Sequence, residues 1–461
     1  MSGQTIHIKS FGCQMNKLDT ALVGSALKAV GFELTGSVKE ADAVLINTCS
    51  VREHAEQRVL SHLGHLKHIK ESRPALVVGV IGCMAQRLGK QLLEDKTVDI
   101  VCGPGQIPQI VTLVREALDG KKKTLSITEK IRQKPNEDNT LDDFESAYGI
   151  EDKEIPGQAF VRVMRGCDKF CSYCVVPYVR GAEVSRQPKV IIEQIKKLAG
   201  NGVKQVTLLG QRVNAYRYTA GEKSYCLADL LSMASDIKGI ERIRFVTSYP
   251  SEEFFDEILE AMATLPKVCN YLHLPAQSGS DKILHAMNRG YTCSEYLELL
   301  DRARAAAAGI AIAGDFIVGF PGETKEDFQA TVDLVKKARY KNCFIFKYSP
   351  RPGTNADEKL EDNVPAEIKK KRNIELLDVQ NEISEKLSRQ SLKKTVKVLV
   401  EGLSKKPHLN QAGSENKPQL VGRTATDYIV VFNGPQSLAG QFAEVKIKRT
   451  SALTLFGELS H

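Results

Sequence analysis

Arg165-Gly-Cys167-Asp-Lys-Phe-Cys171-Ser-Tyr-Cys174 sets three thiols in eight residues, spaced C-x3-C-x2-C. Soft thiolate sulfur suits iron–sulfur chemistry, and such clusters are ordinarily held by four cysteines. Three crowded cysteines with no fourth nearby point to a 4Fe–4S cluster whose remaining iron is open to a substrate or cofactor. The competing readings are three unrelated core cysteines or a zinc site. Zinc wants four ligands, typically as paired C-x2-C units, and neither a second pair nor a nearby His is present.

Outward from this stretch, residues 158–362 alternate strand and helix signals. Strand-like runs lie near 159–164, 204–209, 242–247, 270–274, 311–318 and 343–348. Helical runs lie near 188–200, 227–237, 252–264, 280–288, 294–309 and 324–339. Six βα units predict a partial TIM-type barrel, in which the chemistry sits at the carboxyl ends of the strands. The cysteine loop follows the first of these strands, where such a site belongs. Gln211 and Asp315 lie near later strand ends and Tyr173 lies inside the cysteine loop; all three are candidates for cofactor contact. His273 is read as structural, as are the scattered Cys226, Cys269, Cys293 and Cys343.

Residues 1–125 repeat the βα pattern and predict a parallel sheet with helices on its faces. Strands are expected at Thr5–Ser10, Ala43–Asn47, Ala75–Ile81 and Val98–Val101, and helices at Gln14–Val30, Val51–Lys70, Met84–Glu94 and Ile107–Leu118. Cys13, Cys49, Cys83 and Cys102 each fall at the end of a strand, at the edge where such sheets bind ligands. Glycine precedes Cys13 and Cys83, so backbone can approach a bulky group closely. Three or four thiols on one edge would form a second iron–sulfur site, with buried strand-end cysteines as the plain alternative.

Residues 126–157 are charged, poor in aromatics and closed by Ile155-Pro-Gly157, and are expected to be a linker. A long polar helix is expected at Val364–Arg389. Residues 386–461 carry twelve Lys/Arg against five Asp/Glu, a net of +7 out of +8 for the whole chain. Five runs there alternate with period two (395–400, 420–424, 428–432, 443–448, 453–456), which predicts a small β-barrel of OB type. Clustered cations favour a polyanion, and Tyr428 and Phe432 are candidates for base stacking. No apolar run is long enough to span a membrane and no signal peptide pattern opens the chain. A cytoplasmic protein is expected, whose eleven cysteines serve metal binding rather than disulfides.

The 167–174 spacing resembles the signature of the radical S-adenosylmethionine (SAM) superfamily. The resemblance implies that the open iron chelates SAM and that an electron from the cluster cleaves it to a 5′-deoxyadenosyl radical. Asp315-Phe-Ile-Val-Gly-Phe-Pro-Gly-Glu-Thr324 resembles the element that supports the adenine end of SAM in that superfamily. Over nearly the whole chain the layout resembles the methylthiotransferase family. That likeness implies an N-terminal domain (1–125) with an auxiliary 4Fe–4S cluster on Cys13, Cys49 and Cys83, leaving Cys102 out. It further implies a radical SAM core (158–385) with its cluster on Cys167, Cys171 and Cys174, and an RNA-binding TRAM domain (386–461). The expected cofactors are two 4Fe–4S clusters and SAM, with the six thiols facing one cavity.

Phe11-Gly-Cys-Gln-Met-Asn-Lys-Leu-Asp19 and Cys171-Ser-Tyr-Cys-Val-Val-Pro-Tyr-Val-Arg-Gly-Ala-Glu-Val-Ser-Arg186 resemble the branch of the family that acts on N6-dimethylallyladenosine beside the tRNA anticodon. The relatives that act on threonylcarbamoyladenosine or on a ribosomal protein aspartate usually carry other residues after the first cysteine. The implied partners are the anticodon stem-loop of tRNA and a reducing electron donor, with the chain a monomer. A non-catalytic RNA-binding iron–sulfur sensor is the alternative from another class.

Overall fold

The computed structural model describes residues 3–50, 53–121, 123–129, 131, 140–146, 155–246, 248–250, 255–405 and 417–460. The expected starts of the helices at 51 and 252, residue Thr247 and segment 132–139 lie outside them. By internal contacts the chain forms two compact units: residues 1–154, 164–170 and 174–186, and residues 155–163, 171–173 and 187–461.

The first unit is built on an all-parallel, six-stranded sheet. Its strands are β1 (Thr5–Phe11), β2 (Glu33–Leu34), β3 (Ala43–Thr48), β4 (Val77–Gly82), β5 (Ile100–Cys102) and β6 (Thr124–Ser126), in the order β2-β1-β3-β4-β5-β6. Every residue of β3 and β4 is buried, as a parallel sheet covered on both faces requires. Side chains alternate between faces. Ala43, Leu45 and Ile81 pack with Val23, Leu27, Ile110 and Val114, from α1 (Gln14–Ala29) and the later helix at Ile110–Leu118. Val44, Ile46, Val78 and Val80 pack with Val59, Leu63 and Leu66 of α2 (Glu53–Ser72). The single helix expected at 84–94 is two, α3 (Cys83–Leu88) and α4 (Lys90–Glu94), broken at Gly89 with φ of 45°. Helix α5 covers Ile110–Leu118.

Part of the stretch expected to be a linker instead carries structure. β6 reaches Ser126 at the sheet edge, and α6 (Thr140–Ser146) packs Phe144 against the core. Arg186 Nε holds Asp142 Oδ1 at 2.7 Å, so an ion pair supplies what the low apolar content does not. After β7 (Gln158–Arg162) of the second unit, β8 (Met164–Arg165), α7 (Val176–Arg180) and β9 (Val184–Ser185) belong to the first.

In the second unit, β7 pairs in parallel with β10 (Gln205–Leu209), which follows α8 (Pro188–Gly200) in the chain. The hairpin β11 (Arg217–Ala220) and β12 (Lys223–Cys226), absent from the sequence-based expectation, and α9 (Leu227–Ser235) lead to β13 (Arg242–Val246), which completes the order β13-β10-β7. Past α10 (Phe255–Thr264) a second parallel trio follows: β14 (Tyr271–His273), β15 (Ala311–Val318) and β16 (Asn342–Lys347), joined by α11 (Asp281–Ala286), α12 (Cys293–Ala306) and α13 (Lys325–Ala338). A bridge between Ile243 and Val268 and the bond from Ser248 N to His273 O at 3.3 Å link the trios. The result is the expected six-stranded partial barrel. Helices α14 (Asn355–Lys359) and α15 (Ala366–Arg389) follow.

The C-terminal strands β17 (Thr395–Leu403), β18 (Gln419–Arg423), β19 (Ile429–Asn433), β20 (Phe442–Thr450) and β21 (Thr454–Leu459) close a barrel in the order β17-β18-β19-β21-β20. Phe432 is fully buried among Val398, Val400, Val430, Val445 and Leu455, which corrects its assignment as a stacking residue: period two turns it inward. Along β20, Val445 and Ile447 face the core while Lys446 and Lys448 are exposed.

Arginines tie this barrel to the rest of the second unit. Arg242 Nη1 donates to Arg423 O at 2.9 Å, and Arg244 donates to Thr424 O. Asp427 takes ion pairs from Arg423 at 3.1 Å, Arg244 at 3.3 Å and Lys341 at 3.8 Å. Burial pushes the Asp427 carboxyl up, but these three cations hold it below the ordinary aspartate value. Its stabilisation is therefore full above about pH 4 and lost as pH falls through the depressed value. Asp427→Asn strands buried cations and is expected to destabilise the barrel by roughly 3–5 kcal/mol in denaturant unfolding at neutral pH, with the difference from wild type shrinking in acid. An unchanged midpoint would show that the cluster does not anchor the barrel.

Candidate iron–sulfur sites

In the strand order of the first unit, β1 is flanked by β2 on one side and β3 on the other, so the connections leave β1 and β3 in opposite directions. Ligands bind outside the carboxyl ends at such a switch point. Cys13 caps the start of α1 just past β1, Cys49 directly follows β3, and Cys83 directly follows β4 as the first residue of α3. Cys49 and Cys83 are buried and Cys13 half-buried. The Cys49 thiol hydrogen-bonds Cys13, which, against the opposing effect of burial and with help from Arg180, brings the Cys13 thiol down to about 6. Burial pushes the Cys83 thiol up, with Arg180 opposing it. Cys102 ends β5, is wholly buried in the core cluster with Leu45, Ile81 and Ile110, and burial pushes its thiol up to about 12.

The loops are fixed by two buried asparagines. Asn16 Nδ2 donates to Asn47 Oδ1 at 2.9 Å and to Thr48 O at 2.8 Å, and Asn47 Nδ2 donates to Asn16 O at 2.8 Å. The turn after β1 is thereby held to the end of β3. Both glycines before cysteines are needed for this closeness. A Cβ on Gly12 would stand 2.7 Å from Cys49 Cβ, and one on Gly82, at φ of 95°, would stand 2.6 Å from both Asn47 Oδ1 and Thr48 O.

Arg180 is the cation of this site. Its Nε donates to Cys83 Sγ at 3.2 Å and its Nη2 to Asp19 Oδ2 at 3.0 Å. Val175 and Val179, beside it on the same segment, pack on Cys83. Among the described residues no three Cys, His, Asp or Glu side chains close on one point as ligands of a single ion would. A cluster spreads its thiolates over several irons, and three thiols with one cation at a ligand-binding edge are a fitting donor set for it.

Of the cysteine loop, Cys167 and Cys174 belong to the first unit and Cys171 to the second. Gly166, at φ of 77°, lets the loop run against Ala182 O, where a Cβ would collide, and Cys167 N donates to Gly181 O at 3.0 Å. In the second unit, Ser172 is pinned by Met287 O at 2.9 Å and Ala286 O at 2.8 Å. Tyr173 packs with Ile283, Met287, Phe320 and Tyr348. Cys171 Sγ accepts from Arg289 Nη1 at 3.4 Å, and the same buried guanidinium donates to Tyr291 Oη at 2.8 Å and Pro275 O at 3.0 Å.

Among the polar atoms buried without a partner in the described residues, Gln211 Oε1 follows β10 and Ser248 Oγ follows β13. Buried polar atoms left so are costly unless a ligand completes them, which suits Gln211 to a polar cofactor. Asp315, within β15, is already held by His273 Nε2 at 3.1 Å. The Gly319-Phe-Pro-Gly322 turn beyond it is tied down by Glu323, which accepts from Gly319 N and from Arg372 Nη1 at 2.9 Å. Asn16, Asn47, Arg180 and Arg289 were given no role from sequence, although Asn16 and Arg180 lie within the quoted stretches 11–19 and 171–186. Ser248 falls in Thr247-Ser-Tyr-Pro250, a strand end whose polar groups the sequence does offer for cofactor contact.

Residues 161–335 match the radical SAM superfamily, 5–103 the uncharacterized protein family UPF0004, and 389–460 the TRAM domain. The tRNA-2-methylthio-N(6)-dimethylallyladenosine synthase of Rhodopirellula baltica is 43% identical over 460 residues, 99% of this chain and 95% of its own. Those of Aquifex aeolicus and Carboxydothermus hydrogenoformans are 41% and 40% identical, over 98% of both chains and 100% of both chains respectively. The chain belongs to this synthase family. A solved structure of the radical SAM methyltransferase TsrM from Kitasatospora setae, with cobalamin and a 4Fe–4S cluster bound, shares the fold, with a TM-score of 0.53 at 16% identity over 77% of each chain. The synthase family thus joins the three sequence regions in one chain, as the layout of this sequence implied. For the site, Gly82→Ala is expected to lower the stability of the first unit by about 1–3 kcal/mol through forced backbone strain; denaturant unfolding unchanged from wild type would mean the β4–α3 turn is not held against Asn47 and Thr48.

Proposed function

We propose that this protein inserts a methylthio group at C2 of N6-dimethylallyladenosine next to the anticodon of tRNA. Full-length identity near 40% to synthases of that name carries the reading, and the gathering of Cys13, Cys49 and Cys83 at one sheet edge supports it. Cys167, Cys171 and Cys174 would hold the SAM-binding 4Fe–4S cluster, and Cys13, Cys49 and Cys83 the auxiliary one. When bound, these groups and SAM supply the electron, the radical and the sulfur, with a separate reductant as the electron source.

The chain's own residues do the rest. Gln211 and Ser248 offer buried polar atoms to SAM, with Tyr173 and Asp315 as further contacts on the same barrel. Arg289 fixes Cys171 from behind, anchored on Tyr291 and Pro275 O. The exposed Lys397, Lys446, Lys448 and Arg449 give the C-terminal barrel a cationic face for tRNA phosphates. An aromatic C–H has no proton that a side-chain base could remove, so the binding site has to position and shield the base instead of ionising it. Single-stranded RNA bases are read splayed out of their stack, which an anticodon loop permits.

Cys49→Ala is expected to abolish methylthiolation of tRNA while 5′-deoxyadenosine release persists, measured by mass spectrometry of digested nucleosides and of the small-molecule fraction. Cys171→Ala should abolish both. An undiminished methylthio product from Cys49→Ala would contradict the assignment.

A further inference from the structure

The buried pair Arg180–Asp19 is used by none of the steps above. Both side chains are almost fully buried, at 6% and 2% exposure, and the guanidinium divides its donors between a carboxylate and a cysteine sulfur. An ion pair placed there for stability alone would need no sulfur contact; buried ion pairs seldom gain net stability. Arg180 donates from Nε to Cys83 Sγ and from Nη2 to Asp19 Oδ2, so Asp19 fixes the plane and direction of the group that touches the thiol. Arg180, the last residue of α7, thus places its guanidinium on one of the three thiols. Resting on the reading of Cys13, Cys49 and Cys83 as cluster ligands, we infer that Arg180 is a positioning residue that sets the charge and reduction potential of the auxiliary site through Cys83, with Asp19 as its counterweight.

The physical basis is the dependence of cluster potential on hydrogen bonds to sulfur and on local charge. A cation and an N–H bond on the sulfur stabilise the reduced, more negative form; a carboxylate opposes it. Removing the two partners therefore moves the potential in opposite directions, which a merely structural pair would not do. Loss of outer partners of metal ligands also typically weakens metal retention about 10–100-fold.

The test uses the full-length chain with Cys167, Cys171 and Cys174 all replaced by Ala and reconstituted anaerobically with iron and sulfide. Binding of about four irons isolates the auxiliary site; no bound iron would remove the ligand assignment and this inference with it. In that background, potentiometry should place Arg180→Gln negative of the parent and Asp19→Asn positive, with Arg180→Lys between Gln and the parent. Iron retained against a chelator should fall about 10-fold in Arg180→Gln. If Arg180→Gln fails to fold, because Asp19 is left buried and unpaired, Asp19→Asn and the double variant Arg180→Gln/Asp19→Asn decide the matter. The double variant should lie negative of Asp19→Asn. Four irons bound with potentials that stay in place, or that shift in the same direction, would overturn the role of Arg180 and leave the ligand assignment standing.

Discussion

Parallel strands all end at the same edge of their sheet, so the residues that follow adjacent strands are brought to one edge. The first unit depends on this constraint. Cys13, Cys49 and Cys83 are more than thirty residues apart in sequence, yet β1, β3 and β4 are consecutive neighbours in the sheet. Each cysteine sits at the step from strand to helix, and the switch point between β1 and β3 opens the crevice there. The two asparagines and two glycines are the cost of bringing the loops that close: Asn16 and Asn47 satisfy one another's polar groups, while Gly12 and Gly82 remove the Cβ atoms that would keep the thiols apart.

Buried guanidinium groups recur wherever the two units must hold something firmly. Arg180 joins a thiol to a carboxylate, Arg289 joins a thiol to a phenol and a backbone carbonyl, and Arg242 and Arg244 grip backbone carbonyls of the C-terminal barrel. A planar fork with five donors suits these tasks, since it can meet two or three fixed acceptors at once. Lysine could neutralise the charge but not span the partners. Such placements are expensive in desolvation, and at Arg244 the acceptors are incomplete: Nε and Nη1 are buried without a hydrogen-bond partner, and Asp427 meets the charge only as an ion pair at 3.3 Å.

Much of this was legible in the sequence because the signals are periodic or covalent. The run Ala43-Val-Leu-Ile-Asn47 reads as a buried strand, and the βα alternation of 158–362 yielded all six strands of the partial barrel within a residue or two. The C-x3-C-x2-C spacing needs no fold to be read. What escaped depends on three-dimensional neighbours. β2 and β6 are edge strands of two and three residues, too short for any period. Helix α6 is stabilised by an ion pair to Arg186, 44 residues away, and composition alone made its surroundings look like a linker. Phe432 reads as a surface aromatic only until the barrel closes and its register turns it inward. Arg180 and Arg289 gain their meaning from sulfur atoms 97 and 118 residues distant, a relation that no local pattern encodes.

The account stands on two separate sets of three thiols each holding a four-iron cluster in the same chain. Iron and acid-labile sulfide, counted per chain after anaerobic reconstitution of the unaltered protein, test that directly. The expected result is about eight of each. About four of each, with all six cysteines intact, would contradict it.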